Sequence, residues 1–275
     1  MRRTTLALAA LAAASTLAVA GCSSSSKSSS TSTASATTGA SSAATAATSS
    51  AAGVSGKITV LAAASLTEAF TTIGKQFKVL HPDVNIVFNF EASSAAAQQI
   101  TAGAKADVFA SAAPSNMTSV KKFVTTPTNF VSNSLEIAVP PSNPGKVTSL
   151  SDLAKTSVTV ALCQPQVPCG AVATTVLANA KLKVKPKTLE PDVKSTLGKI
   201  ELKAVDAGLV YVTDVKAAGS KVKGIVIPAN LNASTRYPIA TLTEAPNAPG
   251  AKAFLAYVVS PAGQQVLQAA GFAKP

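Results

Sequence analysis

From Lys57 onward, short apolar runs alternate with amphipathic stretches. Lys57-Ile58-Thr59-Val60-Leu61 reads as a strand, and the residues after it place Leu66, Ala69, Phe70, Ile73 and Phe77 on one helical face. Ser65 is the expected cap of that helix, and Glu68, three residues later, fits a capping box. His81-Pro82-Asp83 ends the unit. Val84 to Phe90 supplies a second strand, and Ala92-Ser93-Ser94 leads into a second helix through Ala95-Ala96-Ala97-Gln98-Gln99-Ile100. Ala106 to Ser111 is a third strand-like segment, followed by Ala113-Pro114 and a helix through Met117 and Val120.

The middle of the chain repeats the pattern. Leu135 to Val139 is strand-like, Pro140-Pro141-Ser142-Asn143-Pro144-Gly145 makes a turn-rich crossing, and Val158 to Leu162 is another strand. That strand enters a loop bounded by Cys163 and Cys169, with a helix expected to begin near Gly170 or Ala171. Glu190-Pro191-Asp192-Val193 is a loop-to-helix junction with Asp192 as cap, and Ala207 to Asp214 reads as a strand that delivers Tyr211 near its end. Alternating strands and helices favour a mostly parallel sheet covered on both faces, where ligand groups collect beyond the carboxyl ends of the strands. Ser65 and Ser93 both fall at such strand-to-helix junctions. Either serine alone reads first as a cap, but the pair in consecutive units points to an anion site, because helix starts carry unpaired N–H donors and the positive end of the dipole. Tyr211 reads as a core tyrosine or as a compact hydroxyl donor to an oxyanion.

The residues before Lys57 have a different character. In residues 1–21, Arg2 and Arg3 precede an apolar stretch too short and too early for a mature membrane span, which is the form of an export signal. Val19-Ala20-Gly21-Cys22 resembles a bacterial lipobox, which implies cleavage before Cys22 and lipid on that cysteine; an ordinary secretory signal is the alternative. Of the 34 residues from Ser23 to Gly56, 29 are Ser, Thr or Ala and only Lys27 is charged, so residues 22–56 are expected to be a lipidated cysteine and a disordered tether.

With that segment set apart, composition says more. The formal charge is +12 for the whole chain, but Arg2, Arg3 and Lys27 lie before residue 57 and all twelve acids after it, leaving +9 for residues 57–275. Such a field can concentrate anions, although dispersed lysines also suit a soluble surface. Arg236 is the one arginine there, and no basic stripe interleaves with aromatics, so nucleic acid is excluded as a partner. Once Cys22 is assigned to lipid, Cys163 and Cys169 remain. A structural disulfide is expected, worth about 2 kcal/mol for so short a loop, with two buried thiols as the alternative; the spacing fits neither a common redox motif nor a zinc site. There is no nucleotide-binding glycine loop and no zinc-protease motif. The single histidine, His81, stands beside Pro82 at a surface boundary, while Asp152 and Asp192 read as caps or solvated acids. The chain is therefore read as a non-enzyme.

Taken together, the segments resemble the periplasmic molybdate-binding proteins of ABC transporters over about 215 residues. The specific parts are Ala62-Ala63-Ala64-Ser65-Leu66-Thr67-Glu68-Ala69-Phe70, Phe90-Glu91-Ala92-Ser93-Ser94, the run from Gln99 to Ala112, Val167-Pro168-Cys169-Gly170, Gly208-Leu209-Val210-Tyr211 and Gly271-Phe272. The resemblance implies an α/β, two-lobed class II periplasmic-binding-protein fold, each lobe a mixed, mostly parallel sheet flanked by helices, with the ligand cleft between the lobes. The lobes are expected at residues 57–138 with 233–275, and at 139–232. It further implies that Ser65 and Ser93 give hydroxyl and backbone donors, that Cys169 and Val193 give backbone N–H groups, and that Tyr211 adds its hydroxyl. The metal involved would be molybdenum only as bound oxyanion, with no cofactor. Cys169 departs from the alanine common at this place, a change that keeps the backbone donor and could fix the loop through Cys163. No arginine and no obvious acidic acceptor falls at the matched positions, which suits molybdate or tungstate better than protonated phosphate. The implied partners are a membrane permease with a cytoplasmic ATPase, and the implied state is a monomer held at the extracytoplasmic face of the membrane by lipid alone. Another tetrahedral oxyanion such as sulfate, or a structural or adhesive lipoprotein, is the alternative.

Overall fold

The computed structural model of the protein describes residues 54–275. The expected export signal at 1–21, the lipid site Cys22 and the tether through residue 53 lie outside the described residues.

In chain order the elements are β1 (Gly56–Ala63), α1 (Thr67–Leu80), β2 (Val84–Glu91), α2 (Ser93–Thr101), β3 (Val108–Ala110), α3 (Pro114–Ser119) and the long β4 (Thr128–Val139). Then come β5 (Val160–Cys163), α4 (Pro168–Asn179), β6 (Thr188–Glu190), α5 (Val193–Glu201), β7 (Ala207–Tyr211), α6 (Val212–Ala218) and β8 (Lys223–Ile225). The chain returns through β9 (Ser234–Thr241), α7 (Ala248–Val259) and α8 (Pro261–Ala269). The strands lie in the order β2-β1-β3-β9-β4-β7-β5-β6, with β8 also on β4.

Strand β4 joins the two lobes. Its first half pairs with β9, from Thr128 opposite Ile239 to Ser134 opposite Ser234, and its second half pairs with β7, from Leu135 opposite Tyr211 to Ala138 opposite Gly208. Outside this seam the sheet is parallel, β1 with β2 and β3 and β5 with β6 and β7; β3, β4, β7, β8 and β9 meet antiparallel. The parallel character expected from strand–helix alternation thus holds in the outer part of each lobe, where helical crossovers connect the strands, and gives way at the seam where the chain passes between lobes.

Each lobe buries its own core. In the first, Ile58, Phe70, Phe77, Phe130 and Phe254 pack around β1, with Phe70 and Phe77 both meeting Phe254 edge to face. Leu61, Ile100, Phe109 and Met117 fill the opposite face of the same sheet. Ile137, Val160, Val176, Ile200 and Leu209 belong to the core of the second. His81 ends α1 with its ring against Phe77, a structural placement.

Several boundaries differ from the sequence reading. Strand β4 begins seven residues before Leu135, because its first half alternates buried and polar positions and lacks a continuous apolar run. Helix α4 starts at Pro168 rather than near Gly170, since proline suits a first turn whose N–H would be unpaired anyway. The strand expected through Asp214 stops at Tyr211, because the Asp214 carboxylate accepts the Tyr211 N–H at 3.2 Å and opens α6.

Candidate functional site

The ends of β1, β2, β5, β6 and β7 turn toward one cavity between the lobes. The first lobe lines it with Ala63, Ala64, Ser65, Glu91, Ala92, Ser93 and Ala112, the second with Val167, Pro168, Cys169, Asp192, Val193 and Tyr211. All five residues singled out from the sequence, Ser65, Ser93, Cys169, Val193 and Tyr211, therefore meet at one place. The cavity measures about 20 Å³ by the room it leaves the centre of a water molecule. A round cavity of that size has walls roughly 3 Å from its centre, the reach of one small ion and far less than a sugar or peptide needs.

The two serines do not act as helix caps, contrary to expectation. Ser65 lies in a 3-10 turn, Ala64–Leu66, makes no cap bond, and instead shares a hydrogen bond of 2.9 Å with the Tyr237 hydroxyl. Glu68 does not close a capping box; it reaches Lys194. Ser93 is the first residue of α2, and its Oγ accepts the N–H of Ala112 at 2.9 Å from a different loop. That bond uses a lone pair and leaves the Ser93 proton free to donate into the cavity.

The second lobe presents backbone. Cys169 and Val193 stand in the first turns of α4 and α5, where N–H groups have no acceptor within the helix. Asp192 caps α5 as expected, accepting the Ser195 N–H at 2.8 Å. The Cys163–Cys169 disulfide forms, with Cα atoms 5.8 Å apart, and ties the end of β5 to the first turn of α4. Gly170 completes this loop, because a side chain there would collide with the Gln164 carbonyl. The expectation that Cys169 fixes the loop through Cys163 is met in the geometry.

Tyr211 also lines the cavity. It is 1% exposed, and its hydroxyl finds no hydrogen-bond partner among the described residues. Burial pushes its ionisation well above the ordinary range, as it does for the fully buried Tyr237, so both phenols keep their protons. An unpaired buried hydroxyl costs free energy unless a ligand accepts from it.

The five expected donor positions hold no acidic residue, but the lining is wider than those five. Two acidic residues, Glu91 and Asp192, do line the cavity. The Glu91 carboxylate accepts from Gln99 Nε2 at 2.8 and 2.7 Å and from Asn89, while both Asp192 oxygens are taken by Ser195. Burial holds Glu91 above its usual value, opposed by the Gln99 bond. Glu91 stands in a matched segment and Asp192 is the expected cap, but neither was read as facing the ligand; their lone pairs serve neighbouring protein donors.

Sequence reasoning also missed a charged cluster behind Tyr211. Lys194 Nζ lies 2.8 Å from both Glu68 carboxylate oxygens, linking α5 to α1 across the lobes, and 3.0 Å from Asp214 Oδ1. The Asp214 contact is electrostatic rather than a directed hydrogen bond, since Oδ1 has no bond of acceptable geometry. Burial pushes Asp214 up to about 6 against the pull of Lys194. Burial lowers Lys194 in turn, but Asp214 and Glu68 outweigh it and hold the ammonium above its ordinary range. No helix among the described residues is long and apolar enough to cross a membrane, and no group of three His, Cys, Asp or Glu side chains there is placed to hold a metal ion.

The chain matches the family described as bacterial extracellular solute-binding protein over residues 58–273. The molybdate-binding protein ModA of Mycobacterium tuberculosis is 41% identical over 221 residues, covering 79% of this chain and 85% of that protein. A substrate-binding domain attributed to a molybdenum ABC transporter of Clostridium difficile superposes with a TM-score of 0.61 at 28% identity, covering 80% of this chain and 99% of that one. The periplasmic molybdate-binding protein of Azotobacter vinelandii gives a TM-score of 0.71 at 20% identity over 79% of this chain and 99% of its own, a likeness of fold.

Proposed function

The chain belongs to the bacterial extracellular solute-binding protein family, and from that premise we propose that it captures molybdate, or tungstate of like charge and shape, and hands it to an ABC importer. One observation supports this most: hydroxyl and backbone donors from both lobes converge on a cavity of single-ion size whose lining has no cationic side chain. A doubly charged anion in such a place exchanges its hydration for several short, preorganised N–H and O–H bonds. Ser65 and Ser93 would donate from the first lobe, Tyr211 and the backbones of Cys169 and Val193 from the second. Donors supplied from both sides make closure of the lobes and capture of the ion one event. In this role the protein is a carrier; no bond is made or broken, and the ligand is cargo rather than cofactor.

The lobes in this reading are residues 57–138 with 233–275, and 139–232, hinged where β4 and β9 pass between them. The protein would work outside the cytoplasm as a monomer, tethered by lipid on Cys22, and pass its ion to a permease driven by a cytoplasmic ATPase. The similarity to a molybdate-binding protein at 41% identity supports molybdate over sulfate as the principal ligand.

Calorimetric titration with molybdate, tungstate and sulfate is the test. One ion bound per chain for the first two, with sulfate at least tenfold weaker, is expected; no heat with any of the three would overturn the reading.

A further inference from the structure

Resting on the reading of this cavity as an oxyanion site, we propose that Tyr237 and Asn133 are positioning residues that make the Ser65 hydroxyl a donor facing the ion. Neither is among the residues lining the cavity. Both are buried, on strands β9 and β4 at the seam between the lobes.

The directions of the hydrogen bonds follow from counting protons. Asn133 Oδ1 accepts the N–H of Ser134 at 3.0 Å, which turns the amide nitrogen the other way. That nitrogen donates to Thr213 Oγ1 at 2.8 Å and, at a longer 3.5 Å, to the Tyr237 oxygen. Tyr237 is thus an acceptor toward Asn133, and its own proton needs an acceptor. Ser65 Oγ, at 2.9 Å, takes it. A serine hydroxyl that accepts from a phenol keeps its single proton for another partner. The reverse arrangement, with Ser65 donating to Tyr237, would put two donors on the phenol oxygen and leave its proton only the neighbouring Tyr211 hydroxyl, which is not in hydrogen-bonding geometry.

Ser93 is treated the same way, its Oγ loaded by the Ala112 N–H. Both serines of the first lobe consequently have a lone pair engaged by protein and a proton left for the ion. Specificity follows from this polarity. A fully deprotonated oxyanion accepts every bond such hydroxyls offer, whereas an anion that carries a proton needs an acceptor, and the relay from Asn133 through Tyr237 opposes that role for Ser65.

The experiment is a calorimetric double-mutant cycle on the full chain with sodium molybdate, using the unaltered protein, Tyr237→Phe, Ser65→Ala and the double variant. Tyr237→Phe keeps the ring and removes only the hydroxyl. It should weaken binding about tenfold, Ser65→Ala about tenfold to a hundredfold, and the double variant no more than Ser65→Ala alone. Unchanged affinity in Tyr237→Phe, or losses that multiply in the double variant, would overturn the proposal, since a merely structural tyrosine would act independently of Ser65. If Tyr237→Phe unfolds, Asn133→Asp supplies the second arm: its carboxylate would draw the phenol proton away from Ser65 and weaken binding by a similar factor, and unchanged affinity there would refute the relay. An unaltered protein that binds no molybdate removes the functional reading itself, an outcome distinct from a binder indifferent to Tyr237.

Discussion

In the proposed site the two lobes deliver donors to the same cavity by different means. The first uses serine side chains, each steered by a group far away in sequence: Ser65 by Tyr237 and Ser93 by Ala112. The second uses backbone N–H groups at the starts of α4 and α5, held by a disulfide and an aspartate cap, together with one tyrosine. A side-chain donor is lost with its side chain. A backbone donor survives substitution and depends on loop shape, so at Cys169 the side chain matters through the bridge that shapes the loop.

The largest effect should appear when the two kinds of donor are compared directly. Ser93→Ala removes a hydroxyl and should weaken molybdate binding about tenfold to a hundredfold, as expected for a hydrogen bond to a charged group. Val193→Ala keeps the backbone N–H and should change affinity by less than about fivefold, the residue being buried in the second core. Equal losses in calorimetry would erase the distinction between the lobes.

A different comparison concerns Lys194, which spans both lobes. Lys194→Met would leave Asp214, 0% exposed, without its counter-charge. Because Lys194 itself is a quarter exposed and Glu68 half exposed, the penalty for breaking a buried pair is reduced, to about 2 kcal/mol of stability at neutral pH. Adding Asp214→Asn should recover most of that loss in chemical denaturation. The sign with pH follows from the same burial: Asp214 ionises near 6 when folded and near its ordinary 3.8 when unfolded, so its contribution to stability declines as pH rises between them.

A comparably small effect on binding should come from the disulfide. Replacing Cys163 and Cys169 together by alanine should cost about 2 kcal/mol in thermal or denaturant unfolding. Molybdate affinity should fall only a few-fold, since the Cys169 N–H remains. A loss as large as that of Ser93→Ala would mean that loop closure, and not the donor alone, is built by the bond.

How much of this was legible follows from the range of each interaction. Helix α1 and its buried face of Phe70, Ile73 and Phe77 were readable because their spacing is local. Ser93, Asp192 and Tyr211 were readable as junction residues for the same reason. Tyr237 was not, since it meets Ser65 across 172 positions, and Lys194 meets Glu68 across 126. Periodicity says nothing about such pairs. Capping rules likewise gave Ser65 the wrong partner: a serine before a helix satisfies the pattern, but here a tertiary hydroxyl outcompetes the local N–H. The first half of β4 was hidden because Asn129, Ser132 and Ser134 interrupt its apolar positions at the seam where the two lobes share one strand.

The central claim is that five donors from two lobes enclose one oxyanion. A crystal structure of the protein grown with molybdate, with the molybdenum located by its anomalous scattering, tests it most directly. One molybdenum per chain is expected, its oxygens within hydrogen-bond distance of the Ser65, Ser93 and Tyr211 hydroxyls and of the Cys169 and Val193 N–H groups. Molybdenum bound elsewhere, with this cavity holding only water, would contradict it.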